Sequence, residues 1–186
     1  MPKSKAIINI ENVVAVATLN QKVDLKAVVK GYPGAQYRPE QFPGLVFRLK
    51  RPKTATLIFH SGKMVCTGAK SEKEARRAVM NVVKELKDGG IIIISKPELK
   101  IQNIVASASL GGKIDLEQAG SKLRKTMYEP EQFPGLIYRM NEPRVVILLF
   151  ATGKLVCTGA RKEQDVHAAV RKLHTSLEEQ NLIFYE

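Results

Sequence analysis

Apolar positions crowd the stretch from Ile10 to Leu19, which is rich in β-branched residues, contains no breaker and predicts a strand. Asp24 stands as an N-cap before Leu25-Lys26-Ala27-Val28-Val29, a short helix that Pro33-Gly34 breaks. Three more strand-like runs follow, Gly44 to Leu49, Thr54 to Phe59 and Lys63 to Gly68, and their connectors Arg51-Pro52 and Ser61-Gly62 carry hairpin chemistry. Alternation sends Met64 and Cys66 to one face and Val65 and Thr67 to the other, while Leu57 and Phe59 oppose Thr56 and Ile58. Both faces of the sheet are thus substantially apolar, so the second is either the inside of a sandwich or an exposed binding surface. The period then changes. Ser71, with Glu74 at the capping-box position, opens a helix whose apolar face is Ala75, Ala78, Val79, Val82, Val83 and Leu86, and Gly89-Gly90 ends it. Ile91 to Ile94 suit an edge strand or a linker.

The same pattern returns after an offset of 91 residues, with 32 identities over the 77 ungapped pairs from Ile10 to Leu86. Asn12-Val13-Val14 recurs as Asn103-Ile104-Val105, Asp24 as Asp115, and Gly62-Lys63-Met64-Val65-Cys66-Thr67-Gly68-Ala69 as Gly153-Lys154-Leu155-Val156-Cys157-Thr158-Gly159-Ala160. Two copies of this length are neither a solenoid nor an array. They predict a tandem α+β architecture, residues 1–97 and 98–186, with the helices of each repeat on one sheet face. An approximate two-fold axis suits a partner that is itself nearly two-fold symmetric, and duplex DNA is the obvious candidate.

Charge agrees with that partner. The chain carries 30 Lys+Arg against 18 Asp+Glu, a formal +12, which favours a polyanion or an anionic membrane surface, although such a charge can also serve solubility alone. Residues 1–95 hold 17 basic and 7 acidic groups and residues 96–186 hold 13 and 11, so the ends of two similar scaffolds meet different surroundings. Met1-Pro2-Lys3-Ser4-Lys5 lacks the apolar stretch of a signal peptide and no run is long enough to span a bilayer, which predicts a soluble, cytoplasmic chain. Cys66 and Cys157 occupy equivalent positions in apolar strands and read as buried small hydrophobes, with no disulfide, metal site or cofactor expected.

Four of the six phenylalanines are placed by the repeat: Phe42 and Phe59, then Phe133 and Phe150. Each could be core, but a symmetric pair followed by Pro-Gly in both copies also fits an apolar wedge between base pairs. Around them Arg48, Lys53, Lys63 and Lys70 are matched in sign by Arg139, Arg144, Lys154 and Arg161. Singly these are ordinary solvated charges; as a set they would neutralise phosphates along the walls of a groove. Asn12 and Asn103 lie inside strands, where a carboxamide is disfavoured unless it satisfies a bulge or recognises something. As readers, the two amides would donate to adenine N3 or thymine O2, Val14, Val65, Val105 and Val156 would reject the guanine amino group, and Thr67 and Thr158 would add hydrogen bonds.

The Phe-Pro-Gly-Leu segment, the Pro-Lys or Pro-Arg turn, the Leu-Ile-Phe or Leu-Leu-Phe run and the Gly-Lys-x-Val-Cys-Thr-Gly-Ala strand, each present twice, resemble the TATA-box-binding protein family in its archaeal core-only form. The resemblance covers essentially the whole chain. It implies a saddle, with a curved antiparallel sheet on the concave face, set in the minor groove, and helices on the convex face. It places the wedges at Phe42, Phe59, Phe133 and Phe150 and the central amides at Asn12 and Asn103. It also implies recruitment of transcription factor B, and RNA polymerase indirectly. Glu129 replaces Arg38 in the second Tyr-x-Pro-Glu-Gln-Phe segment and makes that stirrup acidic, so the partner role falls on Glu129, Glu131 and Gln132. A homodimer in the absence of DNA is a further implication. Two rivals come from other classes, an enzyme and a tandem protein- or small-molecule-binding module, and a paralogue with altered base preference is a third. Catalysis finds no support, since His60, His167 and His174 are not repeated and no carboxylate pair or metal-ligand spacing accompanies them; the latter two read as solvated residues of the second long helix.

Overall fold

The computed structural model describes residues 5–186; Met1 to Ser4, part of the opening segment considered above for a leader, lie outside the described residues. The chain separates into two compact units, Asn12–Gln102 and a second that joins Asn103–Glu186 to the residues up to Glu11. The division falls within two long strands, β1 (Ile7–Thr18) and β5 (Glu98–Ser109).

In the first unit β1 is followed by α1 (Leu25–Gly31), β2 (Leu45–Lys50), β3 (Lys53–Ile58), β4 (Lys63–Ala69) and α2 (Glu72–Asp88). The strands lie in the order β2-β3-β4-β1 with antiparallel pairing throughout, because tight turns join β2 to β3 and β3 to β4. The caps are those expected. Asp24 accepts from the amides of Lys26 and Ala27, and Ser71 Oγ accepts from Glu74 N at 2.9 Å. The six apolar residues predicted for α2 are the six it buries. On the core side of the sheet Val13, Ala15, Ala17, Phe47, Ile58, Met64 and Cys66 are all buried. The alternate positions Val14, Val16, Val46, Leu57, Val65 and Thr67 are half-exposed, so this second face is an open surface and not the inside of a sandwich. Ile91 to Ile94 form neither strand nor helix, and Ile92 and Ile94 are 80% and 84% exposed.

The second unit continues from β5 through β6 (Lys113–Ile114), α3 (Leu116–Lys122), β7 (Thr126–Met127), β8 (Leu136–Met140), β9 (Val145–Leu149), β10 (Lys154–Ala160), α4 (Glu163–Glu179) and β11 (Ile183–Phe184). Its main sheet runs β5-β10-β9-β8-β7, and β6 pairs with β11 in a separate ladder. Asp115 caps α3 by accepting from Gln118 N at 3.1 Å. In each unit the long helix also holds the turn of the outer hairpin: Asn81 Nδ2 donates to Arg51 O at 3.3 Å, and Lys172 Nζ, its counterpart, donates to Glu142 O at 2.8 Å.

His174 corrects an expectation. It is 5% exposed, and its Nε2 lies 2.7 Å from Tyr185 Oη and 3.0 Å from Glu178 Oε1. It faces inward because it follows Val166, Ala169, Val170 and Leu173 on the buried stripe of α4, and the chain end folds back to supply its partner. His167, by contrast, is exposed, as expected.

Candidate nucleic-acid interface

The open face of each unit carries the same three features. The first is a pair of aromatic rings. Phe42 ends a tight turn in which its amide donates to Arg38 O at 3.0 Å, and Phe59 follows β3, its amide donating to Lys63 O at 2.9 Å. Their rings meet edge to face at 5.8 Å and 67°; Phe133 and Phe150 repeat this at 5.9 Å and 64°. Phe42 is 41% and Phe133 37% exposed, unusual for a side chain worth a few kcal/mol when buried. The glycine of each Pro-Gly explains the spacing. A Cβ on Gly44 would stand 2.6 Å from Phe42 Cε2 and 3.0 Å from Phe59 Cε1, and one on Gly135 would stand 2.7 Å from Phe133 Cε2 and 3.0 Å from Phe150 Cε1. A Cβ at either glycine would push the paired rings out of this arrangement.

The second feature is a β-bulge. Pairing of β1 with β4 slips by one residue between Val13 and Ala15, where Gly68 adopts φ +102°, and β10 slips against β5 at Gly159, also φ +102°. Asn12 Oδ1 accepts the amide of Gly68 at 2.7 Å, and Asn103 Oδ1 accepts that of Gly159 at 2.7 Å. Both carboxamides thus satisfy a bulge, one of the two roles open to a strand-interior asparagine. The bond also orients them. With oxygen committed to the backbone, the nitrogen faces the neighbouring hydroxyl, Thr67 Oγ1 at 3.1 Å and Thr158 Oγ1 at 3.2 Å, with a second N–H in reserve. Val14 and Val65 in the first unit, and Val105 and Val156 in the second, are half-exposed on the same face as the amide of that unit.

The third feature is a cationic margin. Arg48 lies opposite Ala55 and Lys53 opposite Lys50 at the outer hairpin, Lys63 opposite Thr18, and Lys70 beyond the bulge; all four are exposed. In the second unit Arg139 lies opposite Val146 and Lys154 opposite Ser109, both exposed. Arg139, Arg144 and Arg161 converge on one cavity of about 600 Å³, which Lys125 and Asp165 also line. Lys125 escaped the repeat comparison because its counterpart is Gly34; the signal available was a lysine next to Arg124 at the end of a helix.

Five further cations of the first half lie on α2, where Glu72, Glu74, Glu85 and Asp88 offset most of their charge. Lys73, Arg76, Arg77, Lys84 and Lys87 occupy the exposed face of α2, whose buried face covers the core side of the sheet. The acidic residues Glu129 and Glu131 and the adjoining Gln132 are exposed on the turn that ends at Phe133, where Glu129 O accepts the amides of Gln132 and Phe133 at 2.9 and 3.0 Å. The same turn in the first unit is built on Arg38 O, so charge differs while geometry is kept.

Cys66 and Cys157 are fully buried and free. Burial pushes the Cys157 thiol up to about 11, and raises that of Cys66, where the hydroxyls of Thr56 and Thr54 act in the opposite direction. Neither is poised as a nucleophile. Among the described residues no helix is long and apolar enough to cross a membrane.

A duplicated α+β unit that bares an apolar sheet face edged with cations belongs, by fold and surface together, to the class of nucleic-acid-binding proteins. The family model described as transcription factor TFIID, or TATA-binding protein, matches residues 7–89 and 98–180. The chain is 55% identical over 175 residues to the TATA-box-binding protein of Sulfolobus acidocaldarius, covering 94% of this chain and 89% of that one. It is 50% identical over 172 residues to that of Archaeoglobus fulgidus, covering 91% and 94%. A solved structure of Methanococcus jannaschii TBP superposes with a TM-score of 0.84 at 49% identity, covering 92% of this chain and 98% of the other. The chain belongs to the TATA-binding protein family, a family of DNA-binding transcription factors and not of enzymes.

Proposed function

We propose that this protein binds an A/T-rich promoter element in the minor groove, bends it, and marks the site of transcription initiation. Repeats 1–97 and 98–186 each engage one half of the element. Support comes above all from the asparagines, whose oxygens are committed to Gly68 and Gly159 and whose nitrogens are left as donors on the open face. The minor-groove edges of A·T and T·A pairs offer only acceptors, adenine N3 and thymine O2, so a fixed donor matches either. Guanine presents a donor of its own there, and Val14, Val65, Val105 and Val156 leave it no acceptor.

Phe42 with Phe59, and Phe133 with Phe150, act as wedges that unstack a base step at each end of the site. Flexible TA steps lower the cost of that deformation and add specificity beyond direct contacts. Arg48, Lys53, Lys63, Lys70, Arg139, Arg144, Lys154 and Arg161 neutralise phosphates along the groove walls. Glu129, Glu131 and Gln132 receive transcription factor B, through which RNA polymerase is recruited. In the free protein the apolar open faces are covered by pairing of two copies.

The test is a doubly labelled duplex carrying a TATA-like element, compared with a G·C-substituted control over a salt series. Strong bending of the A/T duplex alone, lost in Phe133→Ala and Phe150→Ala proteins that still fold, is the expected result. Weak binding indifferent to sequence would move the function to a paralogue or to a protein-binding role.

A further inference from the structure

A group of cations in the second unit has no full counterpart in the first. Lys125, Arg139, Arg144 and Arg161 line a single cavity of about 600 Å³, with Asp165 the one carboxylate on its wall. Four positive charges against one negative leave a surplus that an anion would neutralise, and close-set cations hold one another unfavourably until it arrives. Val146, on the open face, and Gly159, at the bulge, also line the cavity, which therefore adjoins the surface described above.

Lys125 is the unexpected member. Its φ is 56°, in the left-handed region that side chains with a Cβ avoid, and its carbonyl accepts the amide of Arg139 at 3.1 Å. The equivalent position of the first repeat is Gly34, whose φ lies outside that region, so the left-handed residue belongs to the second repeat alone. Glycine is the easier residue for such a turn, so the turn alone gives no reason for a lysine. A strained residue that keeps a long charged side chain beside a cationic cavity points to a role for the side chain.

We propose that this cavity seats a phosphodiester of the bound duplex and that Lys125 is a phosphate ligand peculiar to the second repeat, an inference that rests on the DNA-binding function proposed above. The second half-site thereby gains a backbone contact that the first lacks, even though the second half of the chain is the less basic.

The experiment compares the full chain with Lys125→Gly, a substitution suited to the backbone conformation and expected to leave thermal unfolding no lower. Binding of the TATA-like duplex is measured from about 0.1 to 0.4 M KCl. Loss of one phosphate contact makes the plot of log K against log salt shallower by about 0.9, with the preference for A/T over G·C unchanged. A duplex with neutral methylphosphonate linkages, scanned one at a time, then locates the contact: at one position the neutral linkage weakens the parent more than it weakens Lys125→Gly, which keeps the three arginines of the cavity. If the parent discriminates A/T from G·C and the variant keeps the parent slope, the assignment of Lys125 is wrong while the function stands. A parent that does not discriminate, or whose affinity is indifferent to salt, removes the function and this inference together.

Discussion

After the long helix of each repeat the chain passes a neighbouring loop whose backbone groups need partners, and the two repeats meet that need differently. In the first, the Gln21 side chain donates to Ile92 O at 2.8 Å and accepts from Ile94 N at 3.0 Å. A carboxamide carries one donor set and one acceptor, as a peptide group does, and here it replaces a neighbouring strand. In the second, Gly112 holds the equivalent position and the backbones come together as β6 and β11, pairing Ile114 with Ile183 and Lys113 with Phe184. Tyr185, the counterpart of the exposed Ile94, is drawn in to His174 and Glu178. Where two chemistries can hold the same stretch of chain the repeats have diverged. At the Phe pairs over glycine and at the Asn-filled bulges, where nothing else reproduces the geometry, they are the same.

The most disruptive way to break this comparison is to move the first solution into the second repeat. A Cβ at Gly112 would lie 2.8 Å from Ile183 Cγ1, 2.9 Å from Tyr185 Cδ1 and 3.0 Å from Phe184 O, so Gly112→Gln must push the ladder apart before its amide can help. A loss of about 3 kcal/mol is expected, lowering the thermal midpoint by roughly 5–10 °C. Circular dichroism melting checks it, and an unchanged midpoint would mean that the two arrangements are interchangeable.

A second contrast lies in the core layer. Thr56 faces Cys66 across β3 and β4, whereas Ile147 faces Cys157 across β9 and β10. With its thiol held near 11 against an ordinary 9.0, native Cys157 keeps its proton while the unfolded chain loses it. The associated stability is intact below about pH 9 and falls by about 2–3 kcal/mol as pH rises from 9 to 11. Urea unfolding across that window should show a flatter pH dependence for Cys157→Ala than for the parent. Cys66→Ala should flatten it less, because the threonine hydroxyls oppose the rise. The smallest effect has the opposite sign. Thr56 Oγ1 is buried with only the Cys66 thiol, a weak partner, beside it, so Thr56→Val, nearly isosteric, should stabilise the protein by about 1 kcal/mol in the same assay.

Most of the architecture was legible because its periods are strong. The buried stripe of α2, the caps at Asp24, Ser71 and Asp115, and the order of the strands all follow from spacing and cap chemistry. What escaped depends on approach between distant residues. His174 sits on an apolar stripe at a position matched by Val83, a hint of burial, but its partner Tyr185 is supplied by the folded-back end of the chain. The bulges were foreshadowed only by the strand-interior asparagines, and the pairing of Asn12 and Asn103 with Gly68 and Gly159 shows which atom of each amide is committed. Lys125 was invisible to any comparison of the repeats, because asymmetry is what sets it apart.

The bond from Gly68 to Asn12 has a consequence for how mutations here would be felt in a cell. Aspartate at position 12 would still offer an oxygen to Gly68 N–H, so a chain altered there would fold, evade the proteases and chaperones that remove damaged proteins, and accumulate at full abundance. It would lack the nitrogen donor and carry a negative charge in its place. Under the function proposed above, the lesion would stay hidden from quality control and surface as lost promoter recognition.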